Sequence, residues 1–271
     1  MSVREKLAAA AEAHRSLLCV GLDPDPGRIA GGDIAGYLKN IIDATKDLVS
    51  AYKPNLAFYE QLGAEGYDTL RRVLDHIPND IVTIADAKRG DVPNTAAAYA
   101  RALFDTLGFD ATTANAYGGA DSLAPFLERE DKLTIIWCRS SNAGAGDLQD
   151  LPVGEGGRPL YEAVAEMAKE WDTRGNVGLV VGATYPEQLR RVRAICPDMP
   201  VLLPGIGSQE GDLARSLDAG LDANGGGVIV AASRSVLYAS SGADYAEAAR
   251  REAEALRSAI EEHRLAAGSR A

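Results

Sequence analysis

"DIVTIADAKRGDVPNT", residues 80–95, opens as an apolar, β-branched run and closes on Asp86, Lys88, Arg89 and Asp91 within six positions. Charge that dense ordinarily marks a solvated helix face or loop. Here it stands where a buried strand ends. Side chains alternate along a strand, so regular alternation puts Ile84, Asp86 and Lys88 on one face and Ala85 and Ala87 on the other.

Seven similar runs accompany it: "SLLCVGLD" (16–23), "LVSAYKPN" (48–55), "DATTANAY" (110–117), "LTIIWCRS" (133–140), "VGLVVGAT" (177–184), "PVLLPGIG" (200–207) and "GGVIVAAS" (226–233). Helical patterns separate them, such as "IAGYLKNIIDATKDL" and "PNTAAAYARALFDTL". Another, "DYAEAARREAEALRSAIEEHR", follows the last run. Eight strand-like segments alternating with helices argue for parallel strands joined by right-handed crossovers. A doubly wound open sheet gives no reason for regular repetition to eight. The sequence therefore predicts a single-domain (β/α)8 TIM barrel over residues 1–271, with no internal linker. Such barrels commonly take about 250 residues.

The 271 residues are 46% hydrophobic and 25% charged, ordinary globular usage that can bury a core without disulfides. Cys19, Cys138 and Cys196 are odd in number and widely spaced, and read as small core residues of a reducing cytosol. With His14, His76 and His263 scattered, no zinc spacing forms and no metal site is expected. The net charge of −11 and the lack of a basic stripe argue against a nucleic-acid partner. The start, "MSVREKLAAAAEAHR", is no signal peptide; Ser2 and Glu5 have capping-box spacing for a short N-terminal helix. No run approaches the roughly eighteen apolar residues of a membrane span. A soluble, cytoplasmic protein is expected.

Barrel enzymes keep their chemistry at the C-terminal rim of the strands. There the sequence gathers Asp23 after the in-facing Cys19 and Gly21, Lys53 before the ladder-limiting Pro54, then Asp86, Lys88 and Asp91. Separate rim salt bridges are the plainer reading. An alternating array, however, is a way to hold several costly buried charges at once. "PGIGSQ" (204–209) and "AASRS" (231–235) fall after the seventh and eighth runs, the frequent phosphate position of this fold. Gly205 and Gly207 let backbone N–H groups approach an anion, and Arg234 offers a planar fork for its oxygens. The long irregular stretch "SSNAGAGDLQDLPVGEGGRP", about 140–159, is expected to be a mobile lid. Physics alone thus reaches a barrel enzyme acting on a small phosphorylated molecule, without naming the substrate.

These residues also resemble a known family. "DAKRGDVPNT" fits the Asp-x-Lys-x-x-Asp-x-x-x-Thr signature of orotidine 5′-monophosphate decarboxylases. "GLDPDP", "YKPN", "SSNAGAGDLQ", "LLPGIGSQEGD" and "ASRS" follow in the family's order and spacing, from about residue 16 to 240. The extended segment after the fifth run is similar to the longer bacterial branch, with Ala143 where proline is common.

The resemblance implies cofactor-free loss of CO2 from orotidine 5′-monophosphate to give UMP. It implies that Lys88 protonates the ring carbon and that Asp86 sits beside the substrate carboxylate, by repelling it or by positioning Lys88. Asp23 and Lys53 would hold the ribose, Ser141 the pyrimidine, and Gln209 and Arg234 the phosphate. Asp91 and Thr95 would reach into the partner's site of a homodimer. Two alternatives stand beside it: a Mg2+-dependent sugar-phosphate decarboxylase of the same superfamily, and a non-catalytic nucleotide-binding barrel. Asn115 is read as a substrate or lid contact or a loop cap, Trp137 and Trp171 as packing, and Tyr238 as a helix-start contact.

Overall fold

The structure, a computed structural model, describes residues 1–29, 32–206 and 210–268. Strands form in all eight apolar runs: β1 (Leu18–Gly21), β2 (Ala51–Lys53), β3 (Val82–Arg89), β4 (Ala111–Ala114), β5 (Leu133–Arg139), β6 (Val177–Val181), β7 (Val201–Pro204) and β8 (Val228–Ala232). They pair in parallel in sequence order, and β8 closes on β1. Strands of a parallel barrel are covered on both faces, which is why the runs are nearly continuous in apolar residues.

Alternation divides each strand between two cores. Cys19, Ala51, Val82, Ile84, Leu133, Ile135, Val180, Leu202 and Ile229 fill the barrel. Leu18, Val20, Tyr52, Ala85, Leu179, Leu203 and Val230 pack outward against the helices. The N-terminal helix (Val3–His14) carries the expected capping box. Glu5 N donates to Ser2 Oγ at 3.3 Å, and Ser2 N donates to Glu5 Oε2 at 2.7 Å. Its Val3 and Leu7 join the interior core. The last helix (Tyr245–Gly268) packs on the helix Ile34–Thr45.

Two features set the rim. Gly21 ends β1 against the residue after β8: a Cβ there would lie 1.8 Å from Ser233 Oγ. Only glycine lets these strand ends approach so closely. The segment 140–159, expected to be irregular, instead folds locally. It forms a 3-10 turn (Ala143–Ala145), a helical turn (Gly146–Gln149) and a hairpin pairing Pro152–Val153 with Arg158–Pro159. All three cysteines are buried and free, and burial pushes the Cys19 thiol up to about 12, so it serves as a neutral core residue. No described helix is long and apolar enough to cross a membrane.

Candidate active site

At the C-terminal rim, β2 and β3 bring three expected residues together. Lys53 closes β2 and is 4% exposed; its Nζ lies 3.2 Å from Asp86 Oδ2. Lys88 Nζ lies 2.6 Å from Asp86 Oδ1. Beyond Lys53 the regular ladder stops at Pro54, as proline dictates. The chain still lies along β3, because Asp86 N donates to the Pro54 carbonyl at 3.0 Å and Leu56 N to the Asp86 carbonyl at 3.2 Å. Asp23 Oδ1 accepts from Asn55 N at 2.9 Å, which ties the loop after β1 to the same place.

Regular alternation through Lys88 is not how β3 delivers its lysine. The β3–β4 register shifts between Ala85 and Arg89, and Lys88 takes φ +48°. A β-bulge of this kind re-aims a side chain. Lys88 turns to Asp86, while Arg89 pairs with Glu60 and lies 5.1 Å over the Tyr99 ring.

The charges are mutually held. Burial opposes the ionised form of Asp86. The Lys53 and Lys88 ammoniums, with hydrogen bonds from Lys88 and Thr113, outweigh it and keep the carboxyl at about 2. Burial likewise opposes the charge on Lys53, but Asp23 and Asp86 keep its ammonium above the usual lysine range. At neutral pH Asp86 is therefore a carboxylate, paired with the buried Lys53 ammonium and touched by Lys88 Nζ.

A cavity of about 700 Å3 opens onto it, lined by Asp23, Lys53, Asp86, Ser141, Gly205 and Arg234 among others. Lys88 is outside that lining and reaches it through Asp86. Gly205 has φ +99°, a conformation glycine alone adopts without strain. Arg234 starts the short helix after β8, next to the Ser235 hydroxyl, which is buried without a partner among the described residues. Gly207 and Gln209 lie outside the described residues.

Asp91 and Thr95 do not join this group. Asp91 is exposed and accepts from Val92 N at 2.7 Å, and Thr95 bonds its neighbour Asn94. Neither lines the cavity.

Trp137 and Tyr238 take more specific places than the sequence assigns them, and Arg139 escaped it altogether. Trp137 packs against the barrel interior, as expected, with its ring 5.9 Å from Lys88 Nζ, whereas Trp171 packs on the outer core. Tyr238 ends the short helix rather than starting one. Its hydroxyl donates to the Asp23 carbonyl at 3.2 Å and accepts from Asp25 N at 2.6 Å. Arg139, 2% exposed, donates to Gln149 Oε1 at 3.3 Å and Asp150 Oδ2 at 3.1 Å, which anchors the segment after Ser141. The signal for that pairing was a cation closing an apolar run with Gln and Asp ten and eleven residues on. Asn115 caps the turn that follows it by accepting from Tyr117 N.

The family model described as "Orotidine 5'-phosphate decarboxylase / HUMPS family" matches residues 16–251. The orotidine 5'-phosphate decarboxylase of Thermomicrobium roseum is 52% identical over 268 residues, covering 96% of this chain and 95% of its own. That of Roseiflexus castenholzii is 50% identical over 267 residues, covering 96% and 97%. Among solved structures, Leishmania donovani OMP decarboxylase superposes with TM-score 0.85 at 44% identity, covering 96% of this chain and 99% of that one. Since the matched region runs through all eight barrel strands and the loops that carry the charged rim, the chain belongs to the orotidine 5'-phosphate decarboxylase / HUMPS family.

Proposed function

We propose that Lys88 is the proton donor in the decarboxylation of orotidine 5′-monophosphate to UMP and CO2, the reaction this chain carries out in pyrimidine biosynthesis, and that it works without a cofactor. The observation that carries this reading is the Lys53–Asp86–Lys88 array at the barrel rim, with Asp86 facing a cavity that also holds Arg234. The bond from the ring carbon to the carboxylate breaks, and its electron pair stays on that carbon. A proton passes from Lys88 Nζ to the carbon, and solvent reprotonates the amine.

Asp86 lies beside the substrate carboxylate and aims Lys88. Asp23 and Lys53 take the ribose hydroxyls, and Ser141 the pyrimidine. Arg234 and Gln209 grip the phosphate with the backbone of Gly205 and Gly207. Asp91 and Thr95, turned away from their own cavity, complete the partner's site in a homodimer. The segment 140–159 closes over the ligand from its anchor on Arg139.

A fixed ammonium beside the developing carbanion stabilises it and then quenches it. Of the two names that the family model joins, relatives near 50% identity carry the orotidine one. An ultraviolet assay with orotidine 5′-monophosphate, run with and without EDTA, tests the reading. Full turnover in chelator is expected. Activity lost in EDTA and restored by Mg2+ favours the sugar-phosphate chemistry, and tight UMP binding without turnover favours a regulatory barrel.

Arg234 acts on binding in this scheme. Hydrogen bonds to charged groups contribute about 1.5–3 kcal/mol, so Arg234→Ala is expected to raise KM roughly 10- to 100-fold with a smaller change in kcat. Steady-state kinetics with UMP inhibition checks it; an unchanged KM removes Arg234 from the phosphate site.

A further inference from the structure

Thr113 lies in β4, in the second position of a threonine pair that reads as ordinary strand sequence, and is 1% exposed. Its hydroxyl makes three hydrogen bonds, all to β3. It donates to Asp86 Oδ1 at 2.9 Å, and it accepts from the backbone N–H of Ala87 at 3.0 Å and of Lys88 at 2.9 Å. One donor and two acceptor positions are all a hydroxyl has, so the group is saturated.

In a regular parallel ladder, consecutive N–H groups point to opposite neighbours. Here two consecutive ones converge on a single side-chain oxygen. The register steps from Ala85 opposite Thr112 to Arg89 opposite Ala114, so four steps along β3 match two along β4. Within that excess Lys88 takes φ +48°, which non-glycine residues adopt only when their surroundings hold them there. The oxygen of Asp86 that accepts from Thr113 is also the one that receives Lys88 Nζ.

We infer that Thr113 is a positioning residue of the reaction: its hydroxyl holds the bulge that turns Lys88 onto Asp86 and fixes the carboxylate that aims it. This rests on the reading of Lys88 as the proton donor. Thr113 touches no reacting atom and acts through Lys88 and Asp86.

Thr113→Val keeps the shape and removes the hydroxyl, leaving two partly buried N–H groups without that acceptor. Misplacing a reacting group by about 1 Å costs on the order of a hundredfold. Thr113→Val is therefore expected to lower kcat roughly 10- to 100-fold, with KM for orotidine 5′-monophosphate changed less than about threefold. Thr113→Ser, which keeps the hydroxyl, is expected to return kcat to within about threefold of the native value. Thermal melts followed by circular dichroism establish that each variant folds. If the valine variant does not fold, serine against alanine at the same position gives the same comparison, with only the alanine variant impaired. A valine variant with native kcat overturns the inference, as does a serine variant as impaired as valine, which assigns the effect to the methyl group. Lys88→Ala is assayed alongside. If it keeps native kcat, the proton-donor reading falls and this inference with it. If it is inactive while the valine variant is normal, only the role of Thr113 falls.

Discussion

Lys88→Ala lowers kcat by about a thousandfold or more, leaves UMP binding within a few-fold of native, and leaves the barrel folded. The size follows from the charge removed. A unit charge pair at 4 Å is worth about 4 kcal/mol at an effective dielectric of 20, and each 1.36 kcal/mol is a factor of ten in rate. Loss of the proton donor adds to this, since general acids contribute about 10²–10⁴-fold. The fold survives because the Lys88 side chain is one-third exposed and Asp86 keeps Lys53 as a partner at 3.2 Å. Lys53 is different. It is buried beside Asp23 and Asp86, and its removal takes a shared buried cation from both carboxylates, so a loss of activity there does not separate chemistry from folding. The measurement for Lys88→Ala is kcat against the inhibition constant of UMP, with a thermal melt as control. Near-native kcat removes Lys88 as the proton donor.

With Lys88 as the proton donor, as proposed, the array would still supply only part of the rate acceleration. Typical enzymes lower their barriers by about 8–23 kcal/mol, well beyond one ammonium. On the proposed assignment, in which Arg234 grips the phosphate, binding energy from that end supplies the remainder when it is spent on holding the reacting carbon against Lys88.

The barrel was legible because strands covered on both faces must be apolar throughout, and eight such runs recur between amphipathic helices. The charges at their ends were legible because nothing in a core calls for Lys53 or Asp86. The manner of their assembly was not. Alternation put Lys88 beside Asp86, where it does lie, but the strand brings it there through a bulge held from β4. Bulges depend on a partner strand's side chain, and Thr113 inside "DATTANAY" is indistinguishable from any β-branched strand residue. Arg139 illustrates the same limit. At the end of "LTIIWCRS" it looks like a rim charge, yet it is 2% exposed and clasped by Gln149 and Asp150 from a segment that composition suggested was irregular. Long-range pairings of this kind leave no periodicity to read.

Asp91 gives the result least open to another explanation. It follows Lys88 by three residues, yet its carboxylate is exposed and bonds only the next residue's N–H among the described residues. Val92 beside it is 60% exposed, an apolar side chain facing outward next to a signature carboxylate. Both facts fit a surface that a second copy covers, with Asp91 carried into the partner's site by a two-fold axis. Lys88→Ala and Asp91→Ala homodimers are then each inactive, because every site carries one lesion. In a mixed dimer one site collects both lesions, while the other takes a native Lys88 from one chain and a native Asp91 from the other. With equal amounts and random re-pairing, half the dimers are mixed and each has one intact site. Activity therefore recovers from near zero to roughly a quarter of the native value for a closed two-fold assembly. The recovery should follow the rate of subunit exchange, monitored by native mass spectrometry of one isotope-labelled chain. Complete exchange with no gain in activity places Asp91 in the site of its own subunit.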